Sequence, residues 1–156
     1  MSKKKNRKNK NALLYRQVET LLRHYKNYKT GIKNLKAQLD YIMPGITTNF
    51  EFREGSVGTF VVYSPTEKYA IDRIESKRAL DLHEKIKKYE LIVQCIDDSL
   101  KDLTEDERRF VEIRYFDNKS IRYAADVLGY SERSIFNLRR DVLDKLKISL
   151  SGVINL

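Results

Sequence analysis

The chain has 156 residues, 34% of them charged, and Lys+Arg outnumber Asp+Glu 31 to 22 for a formal net charge of +9. That length supplies one domain or two small ones with a modest core, and the basic excess favours an acidic partner, nucleic acid ahead of an anionic membrane surface. A single cysteine, Cys95, excludes an internal disulfide, and the lack of any run of about 18 apolar residues excludes a spanning helix.

The opening "MSKKKNRKNKN" carries six positive side chains and no acid, which leaves about +3 for the rest (9 − 6). Residues 1–11 therefore read as a basic, disordered arm, either a solubilising tail or a segment, Lys3–Lys10, that tracks phosphates. The start lacks the apolar stretch of a signal peptide, so a soluble, intracellular protein with no membrane partner is expected.

From Leu14 the apolar residues recur at Val18, Leu21, Tyr25, Tyr28, Ile32, Leu35, Leu39 and Ile42. Steps of four and three without a miss are the seam of a heptad-patterned helix. Pro44 and Gly45 predict its end near Met43. Between 44 and 63, "NFEFR", the glycines at 55 and 58, and "TFVVY" fit either a short β-hairpin or a loop whose aromatics pack on the helices.

A second long helix is predicted from "SPTEKYAIDR", where Ser64 can cap, Pro65 suits the first helical position and Glu67 completes a capping box. Its seam is Leu82, Ile86, Tyr89, Val93, Ile96, Leu100 and Leu103. Both helices reach roughly 50 Å at 1.5 Å per residue, so they can pair antiparallel or build a homo-oligomer. The organisation expected is all-α: the arm, a long-helix pair over 12–101, a terminal unit over 102–150 and a tail over 151–156.

The terminal unit begins at "LTEDERRFVEIRYF", with Thr104 as N-cap, Glu107 three residues on, and Phe110, Val111, Ile113 and Tyr115 for a buried face. Asp117-Asn118-Lys119 is turn chemistry. Ser120 then caps a short helix to Leu128, Gly129-Tyr130 turns, and Ser131 caps another helix, the order of a trihelical helix-turn-helix. Ala125 allows close helix approach, and Gly129 suits a left-handed stop. Ala124, Leu128, Tyr130, Ile135 and Leu138 close the core.

On the last helix Ile135, Leu138, Val142 and Leu146 share an arc of about 80°, while Glu132, Arg133, Phe136, Asn137 and Arg140 occupy a separate arc of about 140°. Arginine can bind guanine, asparagine adenine, glutamate cytosine N4, and Phe136 a thymine methyl. These five are the base-facing candidates, and Lys119, Arg122 and Arg139 are the phosphate candidates. The same pattern also fits a solvated face with Phe136 in the core.

The stretch "LTEDERRFVEIRYFDNKSIRYAADVLGYSERSIFNLRRDVLDKL" resembles region 4 of bacterial sigma factors, the helix-turn-helix that reads the upstream promoter element. Together with "LLYRQVETLLRHYKNYKTGIKNL" and "SPTEKYAIDR" it resembles the RinA-type and ArpU-type transcriptional regulators of phages of Gram-positive bacteria, over about Leu13 to Leu146. The resemblance implies an activator of phage late genes that binds double-stranded DNA and works with host RNA polymerase in the bacterial cytoplasm. Nothing in the chain resembles the region that melts the downstream promoter element, so an activator is implied and not an autonomous sigma factor. The acidic residues Glu105, Asp106 and Glu107 are a candidate polymerase contact.

No catalytic constellation is visible, and no metal or cofactor is expected. His24 and His83 lie on separate helices without ligand-spaced partners, "GSVG" is no phosphate loop, and Asp97, Asp98 and Asp102 read as a solvated face. The competing function is a small terminase subunit that recognises DNA for packaging. Such subunits usually place the DNA-binding unit first, and here it is last. A plain coiled-coil interaction protein ranks third.

Overall fold

The computed structural model describes the backbone of residues 2–42 and 65–154 and the side chains of 11–42 and 73–154. Every regular element among them is helical: α1 Ser2–Arg23, α2 Tyr25–Ile42, α3 Pro65–Lys101, α4 Glu105–Val111, a π-helical turn Glu112–Phe116, α5 Ile121–Leu128 and α6 Glu132–Ser149. The hairpin or loop expected over 44–63, and the Ser64 cap, lie outside the described residues. Contacts divide the chain into two compact units, 1–30 with 89–156, and 31–88.

The first long helix is two helices that meet at His24. The ladder carries on through the joint, because His24 N–H donates to Thr20 O at 3.1 Å and Tyr28 N–H to His24 O at 2.9 Å. The heptad seam survives it: Val18, Leu21 and Tyr25 are buried, and Leu14, Tyr28, Ile32, Leu35, Leu39 and Ile42 are half-buried. α1 starts at Ser2, so the basic segment expected as a disordered arm has helical backbone. Lysine and arginine are good helix formers, and a segment continuous with an anchored helix needs no new nucleus.

In the unit spanning 31–88, the second half of α2 and the first part of α3 face each other. Ala79, Leu82 and Ile86 are buried at steps of three and four. Tyr41 and Ile42 line one groove with Ile74, Glu75 and Arg78, so the end of α2 lies against the early turns of α3.

The larger unit is built on a single apolar cluster. Val18, Leu22 and Tyr25 from the first two helices meet Ile92 and Ile96 of α3, Phe110, Val111 and Tyr115, the alanines 124 and 125, and Ile135, Val142, Leu143 and Leu146 of α6. Each fully buried side chain of this kind contributes about 1.5–3 kcal/mol. The tail closes the cluster through Leu150 and Val153. α1 and the end of α3 group with the terminal helices in one compact unit, with the α1 stripe buried in the shared cluster.

Candidate nucleic-acid interface

Local chemistry positions each helix of the terminal unit. Thr104 is extended, and its hydroxyl accepts from Glu107 N–H at 3.4 Å while Glu107 Oε2 accepts from Thr104 N–H at 2.9 Å, a complete capping box. Glu107 is buried, and its carboxylate takes the Lys145 ammonium of α6 at 2.7 and 2.8 Å. Burial pushes the Glu107 pKa up, but Lys145 and the Thr104 backbone outweigh it and hold the carboxyl below its ordinary value.

After Val111 the helix widens to a π turn, where Asp117 N–H donates to Glu112 O at 2.9 Å. In an α-helix residues five apart diverge by about 140°; the i→i+5 bonding of a π turn narrows that divergence. Phe110 and Tyr115 accordingly both enter the core, with ring centroids 6.1 Å apart and edge to face. Phe116 stacks on Tyr25 at 4.4 Å. Asn118 then takes a left-handed φ of 54°, which turns the chain into Ser120.

Ser120 accepts from Tyr123 N–H at 3.1 Å and starts α5. Gly129 ends it at φ 72°, with its own N–H and that of Tyr130 both donating to Ala125 O. A Cβ on Gly129 would meet nothing within 4 Å, so the requirement there is backbone conformation and not space. Ser131 accepts from Ser134 N–H at 3.2 Å and opens α6. The turn is pinned from outside by Tyr130, whose hydroxyl donates to Asp106 at 2.7 Å.

Of the core candidates, Ala124, Ala125 and Ile135 are buried, and Leu128, Tyr130 and Leu138 half-buried. Glu132, Arg133, Phe136, Asn137 and Arg140 all stand exposed on α6, Phe136 with 51% of its surface open. Phe136 is thus outside the core. Glu132 lies 3.6 Å from Arg122 of α5, and Arg140 lies 3.8 Å from Asp141. Lys119 and Arg122 are exposed, with the Lys119 ammonium 5.8 Å from the Tyr123 ring centroid.

Arg139, one of the phosphate candidates, is half-buried and engaged with α1. Its guanidinium is bound to Glu19 of α1 at 2.6 and 3.1 Å, and Tyr115 donates to the same Glu19 oxygen at 2.8 Å. Burial, followed by the Glu19 charge and hydrogen bond, drives the Tyr115 hydroxyl well above the ordinary tyrosine pKa. Arg139 holds two helices together. Neither Glu19 nor Lys145 was marked by local pattern, since each partner lies far away in sequence.

The acidic entry is also redistributed. Glu107 is committed to Lys145, Asp106 accepts from Tyr130, and Glu105 stands open, 3.9 Å from Arg108. Among the described residues no group of three His, Cys, Asp or Glu side chains could hold a metal ion, and no helix is long and apolar enough to cross a membrane. Comparison with family models, characterised proteins and solved structures returned no match.

Proposed function

We propose that the chain is a sequence-specific DNA-binding protein in which α5, the Gly129 turn and α6 act as a helix-turn-helix. α6 is the element that enters the major groove. One observation carries this reading: α6 buries Ile135, Val142 and Leu146 while presenting Glu132, Arg133, Phe136, Asn137 and Arg140 together on its free side. A helix that reads base edges needs that division, with bidentate donors on a rigid support.

The likeness of "LTEDERRFVEIRYFDNKSIRYAADVLGYSERSIFNLRRDVLDKL" to region 4 of sigma factors, and of about Leu13 to Leu146 to phage regulators, extends the proposal. The protein then activates phage late genes in the bacterial cytoplasm, at a promoter and together with host RNA polymerase. The test is selection of bound duplexes from a random pool, then titration of the selected site with Arg133→Ala and Asn137→Ala. A loss of about 1–3 kcal/mol in each, with relaxed preference at one position, is the expected result. Unchanged binding and preference in both variants overturns the assignment. A reporter behind the selected promoter decides activation, and ring formation without activation favours packaging instead.

A further inference from the structure

The readout side chains occupy only the first half of α6; α1 covers the second. Arg139 meets Glu19, Asp144 accepts from the Tyr15 hydroxyl at 2.7 Å, and the Lys147 ammonium sits 5.3 Å from the Tyr15 ring centroid. On the α6 wheel these three residues span about 140°, an arc that largely overlaps the one carrying Glu132 to Arg140. α1 therefore lies along the continuation of the readout face, and Tyr15 and Asp144 are both within electrostatic reach of Arg140.

Arg16 and Arg23 stand one turn before and after Glu19, within about 60° of it on α1. Both are exposed, and neither has an ion-pair partner among the described residues. The carboxylates beside them are already compensated, Glu19 by Arg139 and Asp144 by Lys147. What this flank offers a ligand is uncompensated guanidinium, spaced about 10 Å along a rigid helix. Guanidinium recognises phosphate by paired N–H donors and carries no sequence information.

From this geometry we infer that α1 is a second DNA-contacting element, with Arg16 and Arg23 binding backbone phosphates beside the groove that α6 enters. This rests on the helix-turn-helix reading and adds to it a contact that a two-helix reader lacks. Glu19 serves as a positioning residue that fixes the flank against α6.

The experiment titrates full-length protein onto a mixed-sequence duplex of about 30 base pairs across a salt series, with Arg16→Ala, Arg23→Ala as the test variant. Two lost phosphate contacts make the slope of log affinity against log salt shallower by about 1.8, equally on mixed and selected sequences. Arg16→Lys, Arg23→Lys restores the slope. Lys33→Ala, Lys85→Ala removes the same charge elsewhere and leaves it unchanged. An unaltered slope in the alanine variant, or an equal change in the control pair, overturns the inference. Arg133→Ala, Asn137→Ala in the same series keeps the two readings apart. If that variant loses sequence preference while the α1 variant behaves as wild type, the recognition face stands and the flank falls. If wild-type protein retains no duplex, both fall.

Discussion

Glu19 and Arg139, 120 residues apart in sequence, share a carboxylate–guanidinium contact of 2.6 Å that fastens α1 to α6. Glu19→Ala leaves the guanidinium without its partner and the Tyr115 hydroxyl without an acceptor. The expected loss is about 2 kcal/mol, below the roughly 3–5 kcal/mol of a fully buried pair, because the Arg139 side chain keeps 33% exposure. Tyr115→Phe costs less, about 1 kcal/mol, since it removes one hydrogen bond and keeps the ring. Urea unfolding of the three proteins checks the order, and equal stability of Glu19→Ala and wild type removes the structural role.

Glu107 makes stability depend on acid. Its carboxyl is held below the ordinary value of 4.5 in the folded state. Its contribution is therefore fully present above the unfolded pKa and is lost as pH falls through the lower, folded one. Melting temperature should drop below about pH 4.5 in wild type and drop less steeply in Glu107→Gln, which starts lower at pH 7. Parallel curves for the two proteins would show that another carboxylate carries the acid response.

At the two left-handed residues the cost of substitution follows backbone conformation. Gly129→Ala forces a side chain into φ 72° in otherwise open space, so the cost is conformational alone, about 1 kcal/mol. Asn118→Ala costs a similar amount at φ 54°, whereas Asn118→Gly is close to neutral, relieving strain but loosening the unfolded chain. Thermal unfolding of the three variants separates them, and an Asn118→Ala protein as stable as wild type would contradict the strain.

Legibility in the sequence followed range. The caps at Thr104, Ser120 and Ser131 and the stop at Gly129 depend on residues within four positions, and each formed as its residues predict. The heptad stripes were equally plain, because burial repeats with the helix period. The π turn was hidden: Phe110 and Tyr115 are five apart, a spacing that neither an α-helix nor a strand puts on one face. The Glu19–Arg139 and Glu107–Lys145 ties were hidden for another reason, since a charge on an amphipathic helix looks the same whether solvated or paired. That is why Arg139 resembled its neighbour Arg140, although only Arg140 stands on the open arc.

If the protein activates transcription, binding DNA is not sufficient, and a surface away from the α6 arc has to engage polymerase. Of the acidic entry to α4, Glu107 is excluded by its burial against Lys145 and Asp106 is engaged with Tyr130. Glu105 is left, its side chain 75% exposed at the first turn of the helix. Carboxylate there opposes phosphate and suits a basic protein surface, and it also favours the helix N-terminus by about 0.3–1 kcal/mol. Glu105→Gln and Glu105→Lys separate these roles when DNA retention, stability and reporter activation are measured together. A polymerase contact predicts unchanged DNA retention, a small stability loss that grows from Gln to Lys, and activation reduced in Gln and abolished in Lys. Activation that tracks stability alone assigns Glu105 to its helix terminus. Full activation in Glu105→Lys moves the polymerase contact away from this turn.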